Sequence, residues 1–385
     1  MAVLAGPHIT ANSFLTTTTN TSSIADETEP TLLFFIPGNP GLISYYHTYL
    51  SLLALELSTN ASNPECIIHG KSLGGFEIAE DRNQEPTRTD TKLNSLSDQI
   101  DHAERNLSNF VADWHVSKQQ GQGLEAGANG DQKEPRPKKS AKVILIGHSV
   151  GAYIAMEILR RHREGKAATG KSSEDRDMME IIGGILLFPT VVDIAKSSSG
   201  RKLTQLLYIP YLAVIASLLA KFLAFILPEN VLRSMVGTVM GSPPESAVDT
   251  TVGFLKSRRG VEQAIHMAAD EMREITSDKW SDEIWGIASS SSTASKSTSN
   301  PVKLPPNLVL YFAQSDHWVA DQTRDEIIQA RGSLRRSTGN NGPVMQVCED
   351  GVVHGFCIRH SDIMAKKTAR FVRDILQSRQ DRFSR

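Results

Sequence analysis

The run Lys142-Val-Ile-Leu-Ile-Gly147-His148-Ser149-Val150-Gly151, followed at once by Ala152-Tyr-Ile-Ala-Met-Glu-Ile-Leu, joins an apolar strand to a helix through Gly-x-Ser-x-Gly. A serine there sits on a sharp turn, its hydroxyl lifted clear of the sheet and beside a helix N-terminus. Gly147 and Gly151 suit the turn because larger side chains would strike the neighbouring strand and helix. The pattern demands a sheet whose strands feed helices, and it presents Ser149 as a nucleophile. A second copy, Gly70-Lys71-Ser72-Leu73-Gly74, follows Cys66-Ile67-Ile68-His69 but leads into a polar stretch ending at Pro86. Without a helix behind it, Ser72 is expected in a loop, and His69 at a loop or strand end with no assigned chemistry.

Other apolar runs extend the pattern. Leu32–Ile36, Ile181–Phe188, Asn307–Phe312 and Val344–Cys348 are continuous enough for strands covered on both faces, and Cys66–Ile68 is a weaker one. Helical spacing follows at Tyr46, Tyr49, Leu50, Leu53 and Leu57, at Leu93–Leu107 with Leu96, Ile100 and Leu107 inward, and from Ser361 to Leu376. Alternating β and α predicts an α/β fold with a doubly wound, mostly parallel sheet. One domain is expected over 31–385, preceded by a poorly ordered lead-in over 1–30 whose residues 16–30 could instead form a solvated hairpin. Residues 118–140 read as a flexible insertion and 288–302 as a Ser-rich linker, with a further polar insertion at 333–342.

Among 385 residues the formal charge is −2, which gives no electrostatic case for a nucleic-acid partner. Cys66, Cys348 and Cys357 lack metal-ligand spacing, so free thiols in a reduced compartment are expected and neither a metal nor a cofactor is. The N-terminus offers no cationic, apolar leader of the secretory kind.

Residues 195–287 form an insertion whose stretch Leu206–Leu227 is apolar apart from scattered polar positions such as Lys221. Its length is comparable with the roughly 20 residues that span a bilayer core. Three readings compete: a buried cap helix over the site, an in-plane helix or hairpin in a lipid monolayer, and a spanning helix. Leu212, Leu218, Leu219, Phe222 and Phe225 are the cap or membrane residues in the first two. Spanning is disfavoured because the chain must return to complete the sheet at Asn307, whereas Pro210, Pro228 and a snorkelling Lys221 suit an in-plane element.

Serine needs a base and an acid to orient it, expected in the chain order nucleophile, acid, base. Asp316 follows the strand ending at Phe312 and is the candidate acid, with Asp193 and Asp321 as runners-up. His354 follows the last strand and is the candidate base. His317 is usable only if its turn points inward, His360 caps the final helix or faces solvent, and His148 lines the pocket. For an oxyanion hole, one N–H comes from Val150 and the second from the loop Pro37-Gly38-Asn39-Pro40-Gly41, where Pro40 has none to give. That leaves Asn39, or Gly41.

Phe35-Ile-Pro-Gly-Asn-Pro-Gly41, Asp98-Gln-Ile-Asp-His102, Gly147-His-Ser-Val-Gly151, Leu187-Phe-Pro-Thr190, Asp316-His-Trp318 and His354-Gly-Phe356 together resemble the lipid droplet-associated hydrolase family of the α/β-hydrolase superfamily. The resemblance runs from about Thr31 to the terminal helix. It implies an α/β-hydrolase fold with a helical apolar cap, and triad roles for Ser149, Asp316 and His354. It also implies attachment through the insertion to a lipid droplet, or to the cytosolic face of the endoplasmic reticulum. The implied activity is hydrolysis of lipid esters such as sterol esters or acylglycerols. A non-catalytic lipid-storage protein and an acyltransferase with the same triad are the alternatives.

Overall fold

Strand β3 (Thr31–Ile36) is buried at every residue, as an unbroken apolar run requires. Its side chains alternate between two cores: Leu32, Phe34 and Ile36 enter one, Leu33 and Phe35 the other. The computed structural model describes residues 7–18, 29–59, 65–78, 92–126, 140–165, 178–287, 305–332 and 342–383. Its other strands are β1 (His8–Thr10), β2 (Ser13–Thr17), β4 (Cys66–Lys71), β5 (Ala141–His148), β6 (Met179–Leu187), β7 (Asn307–Phe312) and β8 (Val344–Val347). All join one sheet in the order β1-β2-β4-β3-β5-β6-β7-β8. The pairs β1/β2 and β2/β4 are antiparallel and the rest parallel, which is the expected α/β-hydrolase arrangement.

Helix α1 (His47–Ser58) and the terminal helix, which extends beyond its predicted end, cover the face carrying Leu33 and Phe35. Helices α2 (Leu96–Ala126) and α3 (Val150–Glu164) cover the opposite face. The chain after β3 therefore leaves to one side of the sheet and the chain after β5 to the other. The gap between their carboxyl ends is a topological switch point, where ligands bind in open α/β sheets.

Two sequence expectations need correction. Part of the lead-in is ordered: β1 and β2 form an antiparallel hairpin on the sheet edge, with Phe14 buried and β2 bonded to β4. The strands are short, and pairing with β4 supplies the backbone partners that their sequence alone could not advertise. The start of the stretch expected to be a flexible insertion, 118–126, is helical, because α2 continues through Ala126; 127–139 lie outside the described residues. So do the Ser-rich linker over 288–302 and nearly all of 333–342. Ser72 lies in a loop after β4, as expected, and His69 lies within β4, stacked on Phe110 at 4.5 Å.

The apolar insertion is a group of helices: α4 (Ser198–Leu206), α5 (Leu212–Ile226), α6 (Glu229–Val239), α7 (Glu245–Lys256) and α8 (Gly260–Glu274). No described helix is long and apolar enough to cross a membrane. Helix α5 packs on α7 and α8, yet its one buried side chain is Ser217. Val214, Ile215, Leu218, Leu219, Phe222, Phe225 and Ile226 are exposed, Phe225 to 89%. Leu212 is partly covered. A cap helix buried over the site would show the reverse distribution. Two short helices complete the chain: α9 (Asp321–Ile327) and α10 (Phe356–Arg359), before the terminal α11 (Ser361–Phe383).

Candidate active site

Register brings the first and second site loops together. Ile36 of β3 lies opposite Gly147 of β5, so the loop after β3 meets the elbow after β5. The elbow is as tight as its glycines suggest. A Cβ on Gly147 would come within 2.3 Å of the Gly151 carbonyl oxygen, and one on Gly151 within 2.3 Å of the Ile36 carbonyl oxygen. These are backbone atoms and cannot step aside. Ser149 has φ 56° and ψ −124°, a conformation that L-residues adopt at a cost of about 1–3 kcal/mol. Helix α3 starts at the next residue.

The three predicted side chains meet. His354 Nε2 lies 2.9 Å from Ser149 Oγ, and His354 Nδ1 lies 2.7 Å from Asp316 Oδ2. Asp316 is nearly buried, its side chain 4% exposed, and its other oxygen accepts the Trp318 N–H at 2.8 Å. Both Asp316 oxygens are thus engaged, which fixes the carboxylate plane. The runners-up lie elsewhere: Asp193 pairs with Lys196 at 2.7 Å and Asp321 with Arg324 at 3.1 Å. His317 is exposed, and His360 accepts the Met364 N–H at the start of α11.

His148 holds the site from beneath rather than lining the pocket. Its Nε2 is 2.9 Å from the His354 carbonyl oxygen, which can only accept, so that nitrogen carries the proton. Its Nδ1 must then accept from the Tyr46 hydroxyl at 2.7 Å, and Tyr46 Oη accepts the Gly38 N–H at 3.1 Å. One chain of hydrogen bonds joins the loop after β3 to the backbone of the candidate base. Complete burial keeps the imidazole neutral by pushing its pKa well below the usual histidine range, with the neighbouring His354 ring acting the same way. Phe188 and Phe356, both fully buried, pack edge-on to His148 at 6.2 and 5.0 Å.

Of the predicted oxyanion donors, Val150 opens α3, and Asn39 follows Gly38, on which a Cβ would lie 3.0 Å from Ser149 Cβ. No described residue accepts from the N–H of Val150 or Asn39. Gly41 faces away, toward Leu73 and Phe76. The Asn39 side chain is turned to helix α8 of the insertion, donating to the Ala264 carbonyl at 3.0 Å and to Glu271 Oε1 at 2.9 Å. Tyr46, His148, Phe188, Phe356 and Glu271 were not assigned these positions from sequence. The Gly-His-Ser-Val-Gly, Leu-Phe-Pro-Thr and His-Gly-Phe motifs pointed near His148, Phe188 and Phe356, but nothing in the sequence pointed to Tyr46 or Glu271. Among the described residues no group of three or more His, Cys, Asp or Glu is gathered to hold a metal ion.

The sequence profile of the family described as lipid-droplet associated hydrolase matches residues 29–357. The chain belongs to the lipid droplet-associated hydrolase family. A relative of that name from Gallus gallus is 26% identical over 363 residues, covering 90% of this chain and 86% of its own. The Homo sapiens relative is 28% identical over 183 residues, 46% of this chain and 42% of its own. Among solved structures, a peroxisomal α/β-hydrolase from Saccharomyces cerevisiae aligns over 95% of this chain and 82% of its own at TM-score 0.48 and 12% identity. A haloalkane dehalogenase loop variant from Bradyrhizobium elkanii aligns over 98% of each chain at TM-score 0.46 and 13% identity. This chain is a hydrolase-family member with the α/β-hydrolase fold.

Proposed function

We propose that the protein is a serine hydrolase that cleaves carboxylic esters of lipids at a lipid-droplet surface, with sterol esters and acylglycerols as the substrate class. The observation that carries this is the hydrogen-bonded series from Ser149 Oγ through His354 to Asp316, at 2.9 and 2.7 Å. His354 Nε2 takes the Ser149 proton as Oγ attacks the ester carbonyl carbon. Asp316 accepts the Nδ1 proton's hydrogen bond, which selects the tautomer with a free Nε2 lone pair and steadies the imidazolium that forms. The oxyanion is received by the N–H groups of Val150 and Asn39. Collapse expels the alcohol, protonated by His354, and leaves an acyl group on Ser149. A water molecule, deprotonated by His354, then releases the acid.

The exposed apolar face of α5 supports a droplet or endoplasmic reticulum surface as the place of action. A contiguous apolar face of this kind on a water-soluble surface marks an interaction site, and an in-plane helix with Lys221 at its polar margin suits a lipid monolayer. An activity-based fluorophosphonate provides the test of the chemistry. Wild-type protein is expected to label and Ser149→Ala to lose labelling, with hydrolysis across a panel of short-chain, long-chain and sterol esters falling by about 10⁴-fold or more. Equal labelling of the two proteins would remove Ser149 as the nucleophile. A droplet-storage phenotype that survives Ser149→Ala would instead favour a non-catalytic role, and acyl transfer to an added alcohol in place of water would favour a transferase.

A further inference from the structure

The loop after β3 is held from two sides. Beneath, Tyr46 takes the Gly38 N–H. Above, the side chain of Asn39 is bound by the cap helix α8, where Ala264 and Glu271 stand seven positions apart and therefore on one face. Both N–H bonds of the Asn39 amide are used in these contacts, at 3.0 and 2.9 Å. Its side chain is left with no donor for a substrate, and what remains at this position is the backbone N–H, one residue on from Gly38, which packs against Ser149.

Glu271 is an unusual partner. It is 6% exposed, and no described lysine, arginine or histidine pairs with it. A buried carboxyl without a cation is stable in its neutral form, which still offers an acceptor oxygen to an amide. Burial moves its pKa up to about 8, against the pull of the Asn39 donor. Asp270, on the same helix, adds to the rise; it is held by the Leu96 N–H and Arg273, with His266 at 3.9 Å. The loop after β3 presents only the neutral Asn39. The same helix α8 carries α5, whose outer face is apolar and exposed.

We propose that Glu271 is a positioning residue: from the cap, its carboxyl and the Ala264 carbonyl clasp the Asn39 amide and so hold the Asn39 backbone N–H where the oxyanion forms. The clasp rests on the serine-hydrolase reading of Ser149, and it makes the geometry of the oxyanion loop depend on how the cap is seated. Ionisation of Glu271 would bring a negative charge toward a site that must stabilise a developing one. Activity therefore falls on the alkaline side as that proton is lost.

The test is the second-order rate of fluorophosphonate labelling, with hydrolysis of a short-chain 4-nitrophenyl ester, from pH 6 to 10, on wild type, Glu271→Gln, Glu271→Leu and Ser149→Ala. Glu271→Leu removes the acceptor and is expected to slow labelling and kcat by about 10- to 100-fold with KM little changed, somewhat less than loss of a whole donor. Glu271→Gln keeps an acceptor oxygen, restores the rate at pH 7 to within about threefold of wild type, and lacks the alkaline fall. A folded Glu271→Leu protein with wild-type kcat overturns the clasp. Should the leucine protein not fold, the glutamine protein decides: an alkaline fall identical to wild type overturns it. Labelling that is absent from wild type, or equal in Ser149→Ala, instead overturns the underlying serine-hydrolase reading.

Discussion

Tyr46 bridges two parts of the site without touching the nucleophile. Its hydroxyl oxygen accepts the Gly38 N–H and its proton goes to His148 Nδ1, both in the buried interior. Tyr46→Phe keeps the ring, which lies 4.7 Å from that of Phe35, and deletes only the bridging oxygen. Two buried polar groups then lack partners, and each such loss typically costs about 1–3 kcal/mol. The variant is expected to unfold at lower urea by that order and to label more slowly, because the His354 carbonyl is anchored through His148. A urea midpoint equivalent to a change below about 0.5 kcal/mol, the range of an inconsequential surface substitution, would show that water replaces the hydroxyl. Ser149, Asp316 and His354 were legible in the sequence because each lies in the turn or loop that follows an apolar strand, and a strand's carboxyl end is where loops carry chemistry. Tyr46 and Glu271 were not. Tyr46 has the spacing of a core residue on α1, and its partner His148 is 102 positions away; Asn39 and Glu271 are 232 apart. No local pattern records a contact over such distances.

At the scale of elements, the strands most legible are those buried on both faces; Val344–Val347, also expected to be covered on both, is a strand but lies half-buried to exposed at the sheet edge. β3, β5, β6 and β7 announce themselves through unbroken Leu, Ile, Val and Phe, whereas the β1–β2 hairpin alternates short polar residues around Phe14 and takes its order from β4. The far end of α2 escaped for a related reason: beyond Lys118 the sequence is rich in Gln and Gly and carries little apolar periodicity from which a helix could be read. Helix α5 was legible as apolar but not as to which way it faces. Its geometry leaves Leu218, Leu219, Phe222 and Phe225 outward, with Leu218 at 60% exposure. Fully burying a side chain of this size contributes about 1.5–3 kcal/mol, so four together exceed what any single surface contact could supply to lipid attachment. Replacing all four with serine is expected to release the protein from droplets, or from a triolein emulsion coated with phosphatidylcholine, by well over 100-fold in partitioning. Labelling of Ser149 in solution should persist, since none of the four is buried in the fold. Retention on the emulsion would mean that another surface carries the attachment.

For the molecule as a whole, stability against pH is set by two opposing sets of buried groups. Burial holds His47 and His69 down at about 4, lowers His102, and keeps His148 well below the ordinary histidine value. Below pH 6.5 the unfolded chain binds protons at these rings that the native protein refuses, so their contribution is complete above about 6.5 and is lost as pH falls toward 4. Glu271 acts in the other direction. Its folded pKa of about 8 lies above the usual glutamate value, so the native state holds a proton that the unfolded chain has released, and stability declines as pH rises from about 4.5 to 8. Burial of Glu65 and Glu274 adds in the same sense. Between pH 4.5 and 6.5 the two strongly shifted rings, together with His148 and His102, outweigh the carboxyls, and stability rises with pH. Above about pH 7 the histidines are largely neutral in both states and Glu271 is left to act, at up to about 1.4 kcal/mol per pH unit. The urea midpoint should therefore peak near pH 7 and fall toward 8, and Glu271→Gln should flatten the alkaline side and steepen the rise between about pH 4.5 and 6.5. A wild-type midpoint that climbs steadily through pH 8 would mean that the Glu271 carboxyl is ionised in the native protein, and the cap would then hold Asn39 with a charge instead of a neutral acid.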